Sequence, residues 1–168
     1  LTRRSIEQAL FQLMKKVSFS SITVTELCKR AGVSRNAYYR NFIDMNHVLS
    51  EYLSEQWDSY YAANCKKYVL PHELGEMLCS YIYSEREFIT LLYRNDLMYI
   101  LEEQLYQSLG PDDGAKTSEL YIKSCIAYTV YGLVVAMVRS GFSHTPAEIS
   151  KLLNLSVNDI YSGRLAEM

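Results

Sequence analysis

The sequence predicts an all-α protein of about nine helices, divided into an N-terminal helix-turn-helix head (residues 1–45) and a larger helical domain (residues 46–168). Apolar residues recur three and four positions apart in nearly every segment, which is the spacing of amphipathic helices. Helix-capping patterns precede several of these segments. No stretch alternates apolar and polar residues as a half-buried strand does.

The head contains three predicted helices. Residues 3–17 place their apolar side chains on one stripe. Thr23 opens a second helix, because a glutamate three residues later completes a capping box. Gly32 ends that helix, since glycine adopts positive φ at little cost. Ser34 is the N-cap of a third short helix, which runs to about Phe42.

The larger domain contains the remaining helices, which are predicted at about 44–68, from Pro71 through Ile82, and at 85–94, 96–109, 117–140 and 145–161. Asp44 caps the first of them, and Thr145 opens the last with proline at the first helical position. The 117–140 helix is apolar almost all round from Cys125 to Val138. Such a helix is expected to be buried on both sides, and no other segment of the chain is long enough to cover both.

Charge is divided unevenly along the chain. Residues 1–50 carry eight Lys or Arg against three Asp or Glu, whereas residues 51–168 carry nine against 16. The net charge of −2 therefore combines a basic N-terminal segment with an acidic remainder. A basic segment on an acidic body is typical of a domain that binds an anion, most often nucleic acid. The alternative is an ordinary solvated surface, because the surplus is modest.

The composition favours a cytoplasmic protein without a metal or cofactor. The four cysteines form no CxxC pair, which argues against a zinc site and a disulfide framework and favours buried, reduced thiols. The longest apolar run, residues 126–138, has 13 residues, fewer than the about 20 that a membrane-spanning helix needs. The N-terminus has no basic-then-apolar signal segment. We therefore expect no membrane insertion.

An enzyme is not expected. The three histidines, His47, His72 and His144, stand apart in the sequence. The chain has no glycine-rich phosphate loop, nucleophile elbow or metal-ligand spacing. A cluster of His144 with acidic residues and a cysteine in the folded chain would reverse this expectation.

The second and third helices, joined by Gly32-Val33 and braced by the first, form a helix-turn-helix pattern. Such a third helix presents its N-terminal residues to base edges and its N–H groups to phosphates. Arg35 suits guanine and Asn36 suits adenine, whereas Tyr38 is expected to pack inward. The residues that suit contacts to bases or phosphates are Thr23, Thr25, Arg35, Asn36, Tyr39 and Arg40. Asn41 suits a role at the helix C-terminus.

These residues resemble the DNA-binding domain of TetR/AcrR-family transcriptional regulators. The resemblance covers about residues 3–50 and rests on Ile22-Thr23-Val24-Thr25-Glu26-Leu27, Ala31-Gly32-Val33-Ser34-Arg35 and Tyr38-Tyr39-Arg40-Asn41-Phe42. The stretches 137–141 and 145–149 look like the junction of the family's last two helices. The resemblance implies a homodimer whose heads each place the third helix in a major groove of double-stranded operator DNA. The six residues named above and Asn41 match the family's DNA-contacting positions, so the resemblance implies a DNA contact for Asn41 too, with the role at the helix C-terminus as the alternative. The chain departs from the family at Met45, where lysine usually contacts a phosphate.

The larger domain is expected to form the dimer. The residues expected at the interface are Tyr131, Val134, Val135, Val138, Leu152, Leu153 and Val157. Gly132 would let two helices approach closely. Two helices from each subunit would then build an isologous four-helix interface. The alternative is that both helices pack only within one chain.

Aromatic residues suggest a ligand pocket in the same domain. Thirteen of the 15 tyrosines lie beyond residue 50, and tyrosine suits a flat or amphipathic ligand. The hypothesis places a small apolar or aromatic effector in a cavity lined by Trp57, Tyr61, Tyr81, Tyr99 and Tyr128. For each of these residues the alternative is a place in the core.

The function expected from these observations is a transcriptional repressor that binds operator DNA as a homodimer and is released by a small-molecule effector. The alternative is a regulator of the same fold that is controlled by a protein partner, or acts as a co-activator, without a small-molecule ligand. A cavity of several hundred cubic ångströms inside the larger domain would distinguish the two.

Overall fold

The computed structural model describes residues 2–64 and 71–153, which form nine α-helices and one 3₁₀ turn. The helices are α1 (Thr2–Met14), α2 (Val24–Ala31), α3 (Arg35–Asn41), α4 (Met45–Asn64), α5 (Pro71–Ser84), α6 (Arg86–Arg94), α7 (Met98–Leu109), α8 (Thr117–Arg139) and α9 (Pro146–Leu153). The 3₁₀ turn, Phe19–Ser21, lies between α1 and α2. The predicted all-α class and helix number are confirmed.

Capping contacts set the helix boundaries of the head. The Thr23 hydroxyl accepts a hydrogen bond from the Glu26 N–H, and the Glu26 carboxylate accepts one from the Thr23 N–H, which is the predicted capping box. Gly32 ends α2 with a φ of +68°. The Ser34 hydroxyl accepts from the Ala37 N–H at 3.1 Å. Each bond satisfies a backbone group that a helix end leaves unpaired, so these boundaries could be predicted locally.

Helix α1 is shorter than predicted. It ends at Met14, because the N–H groups of Lys16 and Val17 both donate to the Leu13 carbonyl, at 2.8 and 3.0 Å, and close a tight turn. Val17 is 47 % exposed and so does not continue the buried stripe. The predicted ends of the fourth and last helices, near residues 68 and 161, lie outside the described residues.

One hydrophobic core runs through both the head and the larger domain. An aromatic cluster packs against this core where the head meets the larger domain. The Phe11 ring of α1 lies 4.8 Å from that of Tyr52 in α4 and 4.9 Å from that of Phe88 in α6, between centroids. A hydrogen bond adds to this contact, since the Phe19 N–H donates to the Asn95 side-chain oxygen at 2.8 Å. The head therefore packs on α6 as well as on α4.

Helix α8 is only partly buried by the described residues, so the burial expected on both of its sides is not provided within this part of the chain. Its buried residues are Ala127, Val134, Met137 and Val138. The exposed large apolar residues of α8 lie in its N-terminal half, here named the exposed face of α8; they are Leu120, Tyr121, Ile122, Ile126 and Tyr128, which are between 43 and 68 % exposed. Helices α6 and α7 cover the buried side. Of the five exposed residues, Tyr128 has an aromatic neighbour in the described chain, the Tyr106 ring of α7, at 5.9 Å between centroids.

By length and composition, α8 could also cross a membrane, and it is the one described helix that could. It is longer than the uninterrupted apolar run of the sequence, because residues 117–125 extend it. In its most apolar 18-residue window, 22 % of the residues are buried. This composition is shared by membrane spans and by helices that another protein chain covers.

Candidate functional site

The head exposes six of the seven residues that were predicted to contact DNA. They are Thr23, Thr25, Arg35, Asn36, Tyr39 and Arg40. Four of them occupy the two turns of α3, and the guanidinium of Arg35 lies over the Tyr39 ring, 6.0 Å from its centroid. These two side chains therefore share one surface of the short helix.

The two threonines differ in what they offer a phosphate. The Thr23 hydroxyl donates to the Glu26 carboxylate at 2.8 Å and accepts from the Glu26 N–H at 3.2 Å. Its proton is thus already used within the capping box. The exposed Thr25 follows in the first turn of α2, and its side chain takes no part in that box. Thr25 is therefore the better phosphate donor of the pair.

Adjacent tyrosines of α3 have opposite environments. Tyr38 is fully buried, its ring centroid lies 6.2 Å from that of Phe42, and burial raises the pKa of Tyr38 to about 12. The Tyr38 hydroxyl has no hydrogen-bond partner among the described residues. Tyr39 is 52 % exposed. The inward packing predicted for Tyr38 is confirmed, and Tyr39 presents its hydroxyl to solvent.

Asn41 is engaged by its own helix. Its side-chain nitrogen donates to the Ala37 carbonyl at 2.6 Å, and the residue is half-buried. This is the C-terminal role named above as the alternative. A DNA contact through the remaining amide oxygen stays a prediction.

The start of α4 has no substitute for the lysine that the family resemblance implies. Met45 is half-buried and packs against the core. His47 accepts a hydrogen bond from the Ile43 N–H through Nδ1 at 3.2 Å, and its Nε2 lies 3.4 Å from a Glu51 oxygen. Both ring nitrogens therefore face partners within the chain.

A small apolar cavity lies inside the larger domain, between α4, α5, α6, α7 and α8. Its volume is about 30 Å³, far below the roughly 300–1,000 Å³ of pockets that hold drug-sized ligands. Trp57 and Tyr81 line it with their rings edge to face, 5.1 Å between centroids. The Tyr81 hydroxyl is turned to the backbone and donates to the Leu53 carbonyl at 3.3 Å. Leucine and isoleucine side chains form most of the other walls. Their helical spacing is that of any core stripe, so the sequence carried no signal for this cavity.

The other three residues of the predicted pocket do not line this cavity, which corrects the hypothesis of one site formed by all five. Tyr61 is 46 % exposed and lies beside Trp57, 5.8 Å between ring centroids. Tyr99 is 48 % exposed and donates to the Asn46 side-chain oxygen at 3.1 Å. Tyr128 is 53 % exposed, on the exposed face of α8. These tyrosines follow the helical spacing of the apolar residues, but their side chains are exposed.

The predicted dimer interface is corrected in a similar way. Val134 is fully buried and Val138 is 9 % exposed, so neither is available to a second chain. Tyr131 and Val135 are half-buried. Leu152 and Leu153 end α9, but their side chains, and all of Val157, lie outside the described residues. The large apolar residues of α8 that are most open to a second chain are those of its exposed face.

Comparison with known proteins shows the fold and no more. No protein-family model matches the chain, and no curated protein matches it. Among solved structures the chain is similar to Lin0861 from Listeria innocua, known from a crystal structure at 2.8 Å. The two chains share 12 % sequence identity with a TM-score of 0.70, over 89 % of this chain and 87 % of that one.

Proposed function

We propose that this protein is a sequence-specific DNA-binding transcriptional repressor that acts as a homodimer on double-stranded operator DNA. The observation that carries the proposal is the exposed surface of α3, where Arg35, Asn36 and Tyr39 stand together on a helix whose inner side is closed by Tyr38. Arginine and asparagine read guanine and adenine in the major groove. The basic charge of the head supplies the attraction to phosphates that is independent of sequence.

The exposed face of α8 supports the homodimer. Its five large apolar side chains are exposed within about three turns of a helix whose C-terminal half packs against the core. Large apolar side chains exposed together indicate a contact with another molecule. A second copy of the chain would cover it by a two-fold contact, in which the same face meets itself.

The test is selection of binding sites from a library of randomised duplex DNA, followed by fluorescence anisotropy with the enriched site. We expect enrichment of a two-fold symmetric sequence, and binding that weakens steeply with added salt. Tyr39→Ala or Arg35→Ala should reduce affinity about tenfold to a hundredfold, because each removes contacts of about 1–3 kcal/mol. The matched control is Tyr93→Ala on α6, since Tyr93 is also an exposed tyrosine, at 41 %, but lies outside the head.

Failure to enrich any sequence would reject the proposal. Equal loss of affinity in Tyr39→Ala and Tyr93→Ala would reject the assignment of α3 as the reading helix, even if the protein bound DNA.

A second candidate is the same regulator under control of a protein partner, and the small cavity favours it. A volume of about 30 Å³ does not admit a small-molecule effector unless the larger domain opens. Trp57 is the one tryptophan of the chain and lines this cavity, so its fluorescence reports any ligand that enters. Compounds that change Trp57 emission and release DNA together would support control by an effector. Release that requires another protein, with Trp57 emission unchanged, would support control by a partner.

A further inference from the structure

A groove with basic walls lies where the head meets the larger domain. It has a volume of about 1,000 Å³ and is bordered by the end of α1, by α6 and by the C-terminal end of α8. Its charged lining residues are Lys15, Arg86, Arg94, Arg139 and Glu87. We name it the basic groove. Four positive groups thus face one carboxylate.

The basic groove is an exception on an otherwise acidic body. Beyond residue 50 the chain carries nine Lys or Arg against 16 Asp or Glu. Six of those nine basic residues are described, and three of the six, Arg86, Arg94 and Arg139, line this groove. By contrast, Lys123 elsewhere on the body is neutralised by Asp112 at 2.8 Å. Basic residues far apart in sequence therefore converge at one place.

The positive groups of the groove are weakly compensated within the described part of the chain. Lys15 lies 4.0 Å from Glu87, and both side chains are largely exposed. No described carboxylate forms an ion pair with any of the three arginines. The Arg86 guanidinium is oriented by a 3.0 Å hydrogen bond to the Tyr83 carbonyl and lies over the Tyr83 ring. The groove therefore has unneutralised charge, part of which is held in place.

The spacing of the charges suits an extended ligand. Arg86, Thr90 and Arg94 follow one another at intervals of four residues and so lie on one side of α6. At 1.5 Å per residue, the two arginines start about 12 Å apart along the helix. One isolated phosphate or carboxylate does not reach both. A peptide in extended form covers this distance with about four residues.

Aromatic side chains stand among the charges. Tyr93 is 41 % exposed, and the Tyr83 and Phe142 rings lie 6.0 Å apart, edge to face. A second groove, of about 730 Å³, continues from Lys15 and Arg94 and adds Lys16 and one carboxylate, Asp96. Apolar side chains of a ligand would contact the rings while its acidic groups meet the basic walls. Bases of a nucleic acid stack on open ring faces, whereas one face of Tyr83 is already covered by Arg86.

We propose that the basic groove binds an acidic peptide segment of a partner protein, one in which Asp or Glu alternate with apolar or aromatic residues. The segment would contact Lys15 of the head and the arginines of the larger domain at once, and so hold the two parts in one orientation. This inference does not depend on the DNA-binding function proposed above.

The test is selection of peptides from a random display library on the intact protein. Each selected peptide is then measured by fluorescence anisotropy against two variants. The first combines Arg86→Glu, Arg94→Glu and Arg139→Glu. The matched control combines Lys116→Glu, Lys123→Glu and Lys151→Glu, which changes the net charge equally in the same domain but outside the groove. Circular dichroism establishes that both variants are folded.

We expect the selected peptides to be enriched in Asp and Glu next to aromatic or aliphatic residues. The arginine variant should lose affinity about tenfold or more, because charge-assisted bonds to guanidinium groups are lost, while the lysine variant stays within a factor of about two to three. Peptides without acidic enrichment, or equal binding to the two variants, would overturn the proposal. Displacement of the peptides by a single-stranded oligonucleotide at lower concentrations than by free peptide would also overturn it and assign the groove to nucleic acid.

Discussion

Glu7 is a carboxylate buried within the head. It is 6 % exposed, and its Oε1 atom has no hydrogen-bond partner among the described residues. Burial, with a further contribution from Glu55, raises the pKa of Glu7. The opposite holds for Glu51, whose pKa is lowered chiefly by its hydrogen bond to Arg3. The pKa values of these two carboxylates, one on α1 and one on α4, are thus shifted in opposite directions.

The residue-scale prediction is that Glu7→Gln stabilises the protein at neutral pH by about 1 kcal/mol, because an unpaired buried charge is removed. A raised pKa in the folded state adds stability below the unfolded pKa, and this is lost as pH rises through the folded pKa. The advantage of the variant should therefore vanish below a pH of about 4. Urea unfolding, monitored by circular dichroism at neutral pH and below a pH of about 4, measures the difference in the free energy of unfolding between the variant and wild type.

Glu51→Gln is the comparison for that experiment. Its lowered pKa means that its contribution is present above the unfolded pKa and is lost as pH falls through the folded pKa. This variant should be destabilised at neutral pH and should approach wild type in acid. A Glu7→Gln protein that is less stable than wild type at neutral pH would show that the ionised carboxylate is stabilised by the fold.

At the scale of the elements, Gly32 and Gly132 have different structural roles. Gly32 ends α2 in the left-handed conformation, with a φ of +68°. Gly132 lies within α8 and is exposed, and a Cβ added there meets no atom of the chain within 4 Å. The first glycine is required by the backbone, whereas the second has no such requirement within a single chain.

We therefore expect Gly32→Ala to destabilise the protein by about 1–2 kcal/mol, because an L-residue is strained in that conformation. Gly132→Ala should stabilise an isolated chain by up to about 1 kcal/mol through helix propensity. Unfolding measured at low and at high protein concentration distinguishes Gly132 in an isolated chain from Gly132 in a dimer. A gain at low concentration that turns into a loss at high concentration would place a second chain against Gly132, and equal gains at both would exclude close contact there.

At the scale of the whole molecule, the exposed face of α8 predicts the oligomeric state. Ile122→Glu combined with Ile126→Glu places two charges in this face, which is 60 and 48 % exposed at these positions. We expect wild type to sediment as a dimer and the double variant as a folded monomer, because a buried unpaired charge is costly. Val17→Glu, at another exposed apolar residue (47 %), should remain a dimer.

A wild type that is monomeric throughout the micromolar range would contradict this prediction. If the wild type floated with phosphatidylcholine vesicles, that result would show that the exposed face of α8 contacts lipid and not a second chain.

How far the structure follows from the sequence depends on the range of the contacts. The caps at Thr23, Gly32 and Ser34 were predictable because each is decided within four residues. Which side of α8 is buried was not predictable, since Val134 and Tyr128 belong to the same apolar pattern. Only the packing of α6 and α7 makes the first buried and the second exposed. The basic groove was also hidden from the sequence, because its four basic residues come from the turn after α1, from α6 and from the end of α8, which meet only in the folded chain.

The aromatic cluster at the junction has a consequence for how such a protein can evolve. Phe11 belongs to the head but packs on two aromatic rings of the larger domain, those of Tyr52 and Phe88. The head therefore cannot be exchanged independently of the helices on which it packs. A recombination event that joined this head to an unrelated body would leave Phe11 without its neighbours, and a productive exchange would have to carry α4 and α6 with it.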